Sequence, residues 1–221
     1  MNNRTKLLGI IAIVAIIGFS MAACEDGGLL STNHTHDPNW DTGLCISCGA
    51  LMYKLGDTGP GGGTIYYSNQ EGFGQAFGKN WHYLEAAPYN QTTAILWSAT
   101  NIDVIAANQS GIGYGHANTQ AIIAAHSITT PPDTVLNNAA MCAAAYNGGG
   151  KDDWFLPSDS EFIEMVRSKA YIKGDQTRLW TSTQYNTNGA YFRNFDSLSS
   201  RFGSAKTSSS GAPGVRAVRA F

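Results

Sequence analysis

The segment KDDWFLPSDSEFIEMVR, residues 151–167, carries the signals for a strand, a stop and a helix in direct succession. Residues 154–156 are apolar and indicate a short buried strand, which Pro157 ends because proline has no backbone N–H to donate to a sheet. Ser158 offers a side-chain oxygen for a helix N-cap, and Glu161 three residues later completes a capping box. The segment therefore predicts a corner where a strand leads into a capped helix.

The helix predicted after Ser158 has one apolar face. Phe162, Ile163 and Val166 recur at helical spacing, so this face is expected to pack on the core, together with residues 154–156. The neighbouring acids Asp152 and Asp153 point in different directions in an extended chain. We therefore interpret them as charges at the end of a loop and not as a catalytic pair.

Composition indicates one ordinary domain with additional segments. The chain has 221 residues, of which 43% are hydrophobic and 14% are charged, and 25 are glycine. The net charge of −2 conceals an uneven distribution, because 9 basic and only 2 acidic residues follow Met165. Such a basic segment can attract polyanions. The alternative is a set of scattered, solvated charges.

Hydrophobic alternation and turn signals predict an α+β fold. The glycine-rich GPGGG at residues 59–63 lacks the Lys-Ser/Thr pair and the helix of a phosphate-binding loop, so it is expected to connect a hairpin. Further strands are predicted at residues 81–87, 179–185, 190–195 and 215–221. Helices are predicted at residues 118–127, where Asn118 would be the cap, and at residues 137–146. Residues 197–212 are rich in Ser and Gly and are expected to form a loop.

The N-terminus has the pattern of an export signal. Arg4 and Lys6 precede an apolar run at residues 7–19, which is followed by Ser-Met-Ala-Ala-Cys at residues 20–24. Small residues before a cysteine resemble the lipobox of bacterial lipoproteins. The resemblance implies that residues 1–23 are a signal peptide and that Cys24 is lipidated, which would anchor the protein in the bacterial envelope, at the outer membrane. The alternative is an uncleaved anchor helix.

Residues 24–50 are expected to form a lipidated, flexible tether, because they show no hydrophobic period. This tether contains a cluster of metal-binding residue types: His34, His36, Cys45 and Cys48. Two imidazoles and two thiolates are a common tetrahedral zinc set. The alternatives are a Cys45–Cys48 disulfide or two idle thiols, with the histidines in solvent. Export to an oxidising compartment favours the disulfide.

Several motifs in order resemble the Lcl C-terminal domain family, named after a bacterial collagen-like adhesin. They are YKLGDTGPGGGTIYY, WHYLEAAP, ANTQAIIAA, DWFLPSDSEF, LWTSTQY and VRAVRAF, and the domain would cover residues 51–221. The resemblance implies a C-type lectin-like fold related to formylglycine-generating enzymes, with small twisted antiparallel sheets and two to three short helices. It also implies that the strand near Tyr53 pairs with the terminal strand.

The resemblance implies a binding domain and not an enzyme. The related oxygen-activating enzymes bind copper with paired cysteines in the C-terminal half, but no cysteine follows Cys142. Calcium-dependent lectins use Glu-Pro-Asn-like and Trp-Asn-Asp-like triplets, which this sequence lacks. Cys142 itself lies among alanines and is expected to be a small core residue. An enzyme would need a reactive group that the sequence does not reveal.

The expected ligand-binding region is the irregular segment 183–210, whose aromatic and polar residues resemble an antibody paratope in composition. The candidate residues are Tyr185, Tyr191, Arg193, Asn194, Arg201, Phe202 and Lys206. Together with Arg167, Lys169 and Lys173, the basic members would contact sulfate groups. The resemblance to the adhesin domain implies a sulfated polysaccharide or a host protein as the ligand, and no nucleic acid is expected. The alternative is a structural or assembly lipoprotein that binds another envelope protein.

Overall fold

Two three-stranded antiparallel sheets and three α-helices form the described part of the chain, which confirms the α+β class. The computed structural model describes residues 35–127, 138–173, 178–196 and 201–221. The strands are β1 (Pro38–Asn39), β2 (Leu44–Cys45), β3 (Thr64–Phe73), β4 (Trp81–Ala86), β5 (Arg178–Asn186), β6 (Gly189–Asn194), β7 (Arg201–Ala205) and β8 (Val218–Ala220). The helices are α1 (Gly115–Ser127), α2 (Ala139–Ala144) and α3 (Asp159–Arg167). In these residues no helix combines the length and the apolar character needed to cross a bilayer.

The first sheet has the strand order β3-β4-β8. Its central strand β4 pairs with β8 through Leu84 and Ala220 and through Ala86 and Val218. The expectation that the strand near Tyr53 pairs with the terminal strand is therefore wrong, since β4 occupies that position. Tyr53 lies outside the strands. Its ring packs edge-to-face with that of Phe221, and the two ring centroids are 5.8 Å apart.

The corner at residues 151–167 forms much as predicted. Phe155 pairs with Val218 through two backbone hydrogen bonds of 2.8 and 2.9 Å, so the expected strand is a single bridge before the proline. The capping box is confirmed, because the Ser158 side chain accepts from Glu161 N and the Glu161 side chain accepts from Ser158 N. Trp154 and the two residues after it are buried, as expected for core.

Glu161 also fixes the start of α1, which no local sequence signal indicates. Its fully buried carboxylate accepts hydrogen bonds from Gly113 N at 2.8 Å and from Gly115 N at 3.2 Å. Burial raises the pKa of this carboxyl to about 7, although the N–H donors oppose the shift. One acidic side chain therefore joins the N-termini of two helices, where negative charge is favourable.

Helix α1 begins three residues before the predicted cap. Asn118 is buried inside the helix and donates to Gln109 O at 2.7 Å and to Ser182 Oγ at 3.2 Å, so its amide links α1 to a loop and to β5. Helix α2 is shorter than predicted and begins after Asn138, whose side chain accepts from Met141 N at 2.8 Å.

The second sheet has the order β5-β6-β7. Strands β5 and β6 match the prediction, but the loop predicted for residues 197–212 is wrong at β7. Tyr191 pairs with Gly203, and Phe192 pairs with Phe202. Serine and glycine have low strand propensity, so composition does not predict β7. Packing of Phe192 against Phe202 across the two strands stabilises it.

The segment expected to be a flexible tether, residues 24–50, is folded in its last part. Strands β1 and β2 pair in a small antiparallel hairpin. Tyr83 Oη donates to Gly43 O at 3.0 Å, and Gln70 Nε2 donates to Gly49 O at 2.8 Å. A methyl group at Gly43, whose φ is +67°, would lie 2.6 Å from the Tyr83 ring. The hairpin is therefore docked on strands β3 and β4.

Candidate functional site

The residues predicted to bind a ligand divide into exposed and buried groups. Tyr185 and Phe202 are 56% and 44% exposed, whereas Tyr191 and Asn194 are half-buried. Arg193 and Lys206 are buried. The side chain of Arg201 lies outside the described part of the structure.

Tyr185 is exposed and yet held in place. Its ring meets Tyr191 edge-on, with the two ring centroids 5.1 Å apart. A methyl group added at Gly203 would lie 3.1 Å from Tyr185 Cδ1, and one at Gly189 would lie 3.2 Å from the same atom. The ring therefore rests on two positions that have no side chain. We call these four residues the aromatic face of the second sheet.

Phe202 lies on the opposite side of the same sheet, because successive residues of a strand point to opposite faces. Its ring stacks on Phe192 with a centroid separation of 5.4 Å, and the Arg178 guanidinium lies 6.0 Å from the Phe192 ring. The sequence prediction missed Phe192 and Arg178. The register of β6 against β7 would have indicated Phe192, since Phe202 is its direct partner.

The assignment of Arg193 to ligand contact needs correction. Its Nε donates to Asp159 Oδ1 at 2.7 Å and its Nη2 donates to Asp159 Oδ2 at 2.9 Å, while both side chains are only 6% exposed. This bidentate pair joins strand β6 to the first turn of α3. A guanidinium held in this way has its charge satisfied inside the protein.

Lys206 is also a structural residue, contrary to the prediction. Its Nζ donates to Ile102 O at 2.6 Å and to Gln184 Oε1 at 2.5 Å, and it lies 4.7 Å from the centre of the Trp97 ring. Burial lowers the pKa of the ammonium to about 8, an effect that the charge of Asp103 opposes. A buried ammonium that donates to fixed oxygens is not available to a sulfate group.

Much of the charge of the basic C-terminal segment lies inside the protein. Among its arginines, Arg216 and Arg219 are also buried, and Arg219 Nη1 donates to Glu85 Oε1 at 3.0 Å. Arg219 Nε also donates to Asp153 Oδ1, so this acid is a structural partner of the arginine. In the described part of this segment, the exposed cations are Arg167, Lys169, Lys173 and Arg178.

The glycine-rich segment forms a tight connection that closes on an internal acid. Thr58 and Thr64 form an antiparallel bridge across it, as expected for a hairpin. Gly61 N donates to Glu85 Oε1 at 2.9 Å and Gly63 N donates to Glu85 Oε2 at 3.2 Å. In phosphate-binding loops of other proteins such backbone amides bind a phosphate. In this protein they bind the carboxylate of Glu85.

A serine and a histidine meet beneath the surface. Ser98 Oγ lies 2.5 Å from His126 Nε2, and His126 Nδ1 lies 2.7 Å from Ile122 O. Both side chains have no exposed surface. A nucleophile and its base need substrate access, so this pair is a core contact between α1 and the loop after β4.

Three of the predicted metal ligands come together in the N-terminal hairpin. The ligand atoms of His36, Cys45 and Cys48 all lie within 4.8 Å of one another. The predicted fourth ligand, His34, and the predicted lipidation site, Cys24, lie outside the described residues. Cys142 is elsewhere, half-buried on α2, and burial raises the pKa of its thiol.

Comparison of the chain with protein-family models and with curated proteins gave no match.

Proposed function

We propose that this chain is an exported, lipid-anchored protein of the bacterial envelope, with a non-enzymatic domain of C-type lectin-like fold related to the Lcl C-terminal domain. The domain binds a protein partner through the aromatic face. The observation that carries this proposal is the state of Tyr185, which is 56% exposed and packed against Tyr191 and two glycines. An aromatic side chain that is already ordered loses little conformational entropy on binding.

The polar surroundings of Tyr185 support a protein partner. Residues 186–188, in the β5–β6 turn, are Asn-Thr-Asn and are exposed. Tyrosines that provide rigid contact area, beside small polar residues that provide adaptable hydrogen bonds, are typical of surfaces that recognise proteins. The sulfated polysaccharide expected from sequence is less favoured, because Arg193 and Lys206 are committed to buried partners.

Site-specific crosslinking tests the binding face. A photoreactive phenylalanine analogue replaces Tyr185 in cells, and the matched control carries it at Tyr89, which is 57% exposed and packs against Tyr146. We expect a discrete crosslinked protein from position 185 and none from position 89. Equal crosslinking at both positions would contradict the assignment of the aromatic face.

Heparin binding tests the alternative ligand. Retention on heparin that falls steeply with salt, and that is lost when Lys169 and Lys173 are changed to Gln, would favour a polyanionic glycan over a protein. We expect weak retention, because four cations of the C-terminal segment, Arg193, Lys206, Arg216 and Arg219, are buried.

The anchoring part of the proposal has its own test. Labelling with a fatty-acid analogue is expected to mark the chain and to be lost in Cys24→Ser, with Cys142→Ser as the control. Protease treatment of intact cells then separates an outward-facing binder from a periplasmic assembly protein. Absence of label in the unmodified chain would refute lipid anchoring and leave the binding face untouched.

A further inference from the structure

We propose that His36, Cys45 and Cys48 bind a zinc ion that holds the N-terminal hairpin on the domain. The three side chains come from both ends of this hairpin: His36 precedes β1, Cys45 ends β2, and Cys48 lies in the turn that follows. Their ligand atoms lie within 4.8 Å of one another. This site is independent of the aromatic face and of its partner.

One of the three ligand separations can be compared directly with a tetrahedral zinc site. With Zn–S near 2.3 Å and Zn–N near 2.05 Å, a tetrahedral angle places sulfur and nitrogen about 3.6 Å apart. The separation of Cys48 Sγ and His36 Nδ1 is 3.7 Å. Thiolate and imidazole donors in tetrahedral geometry favour zinc over magnesium, calcium or manganese, which prefer oxygen ligands.

The backbone around the cysteines is ordered as a knuckle. Gly49 N donates to Cys45 O at 2.8 Å, and Cys45 N donates to Ala50 O at 2.8 Å. Gly49 has a φ of +70°, which allows the chain to turn directly after Cys48. Ile46 N donates to Asp37 O at 2.8 Å, so the knuckle is tied to the residue next to His36.

The hairpin is short, so its own strand pairing contributes little stability beyond its contacts with β3 and β4. Its strands have two residues each, and a two-stranded hairpin is marginal in water even when it is longer. Zinc displaces one proton from each thiol, and its binding free energy then contributes to folding. The ion would join the residue that precedes β1 to the end of β2 and to the turn that follows it.

Metal content and cobalt substitution test the site on the full-length chain, purified in detergent under reducing conditions. We expect one zinc per chain, and cobalt(II) in its place should give a thiolate-to-cobalt charge-transfer band with the intense d–d absorption of tetrahedral cobalt. Cys48→Ser is the principal variant because Cys48 is exposed and its loss leaves the core unchanged. Loss of a residue that only hydrogen-bonds to a metal ligand lowers metal affinity by about 10- to 100-fold. Cys48→Ser and His36→Ala each remove a ligand itself, so their metal affinity should fall further than that.

The matched control is Cys142→Ser, which removes a cysteine outside the cluster and should leave the cobalt spectrum unchanged. Near-ultraviolet circular dichroism verifies that each variant keeps its tertiary packing. Two results would overturn the proposal: less than about 0.1 zinc per reduced chain after reconstitution, or a Cys45–Cys48 disulfide in protein alkylated directly in cells, since paired cysteines cannot supply thiolates.

Discussion

Glu85 provides the sharpest test of how the domain is held together. Its side chain has no exposed surface and accepts from Gly61 N, Gly63 N and Arg219 Nη1. Burial raises the pKa of this carboxyl, and Arg219 and the two backbone donors oppose the shift. We predict that Glu85→Gln, which preserves the side-chain volume, removes much of this network. A glutamine amide has only one oxygen that can accept hydrogen bonds, and its NH₂ group would face donors that now have no acceptor.

The expected cost follows from the groups left behind. Each buried donor without an acceptor costs about 1–3 kcal/mol, and removing one partner of a buried ion pair costs about 3–5 kcal/mol. Arg219 retains Asp153, whose side chain is 45% exposed, so the lower end applies. We therefore expect Glu85→Gln to lower the free energy of unfolding by about 3 kcal/mol, measured by urea denaturation at pH 7.

Two further variants make the Glu85 test specific. Glu71→Gln removes an exposed carboxylate from the same sheet and should change stability by less than about 0.5 kcal/mol. Combining Glu85→Gln with Arg219→Met should cost less than the sum of the two single changes, by about 1–3 kcal/mol. A loss below about 1 kcal/mol in Glu85→Gln, or strict additivity in the double variant, would refute the buried network.

Three other predictions follow. Ser158→Ala removes the cap of α3 and should lower the urea-unfolding free energy by about 1 kcal/mol, whereas no change would contradict the capping role. Because the folded pKa of Lys206 is about 8, below the unfolded value, lowering the pH from about 10 to about 8 should destabilise the natural chain relative to Lys206→Met by about 2 kcal/mol. A stability difference, measured by urea denaturation, that stays constant between these pH values would refute this. Gly203→Ala should displace the Tyr185 ring and reduce partner binding at nearly unchanged stability, so undiminished pull-down by the variant would argue against the aromatic face.

Local signals predicted local structure well. The Ser158 and Glu161 capping box depends on residues three apart, and it forms as expected. The spacing of His36, Cys45 and Cys48 likewise indicated a cluster that the hairpin assembles. The prediction of a flexible tether failed there because two-residue strands leave no hydrophobic period to detect.

Burial of charged residues could not be predicted, because their partners are distant in sequence. Arg193 meets Asp159 across 34 residues, and Lys206 meets Gln184 across 22. A cation that is exposed in isolation becomes a core residue only when the fold provides its acceptor. Composition therefore overestimated the basic surface, while the exposed Tyr185 was identified correctly as a surface residue.

The position of β4 between β3 and β8 has a consequence for the order of folding. Strand β3 reaches β4 through a short connection, but β8 lies more than a hundred residues further along, as the separation of 134 residues between Glu85 and Arg219 shows. Until Val218 arrives, β4 has an open edge and Phe155 has no bridge partner. Such long-range pairing slows folding, because the loop must be closed before its contacts stabilise it. The edge of β4 and the bridge at Phe155 therefore close only once β8 has reached them.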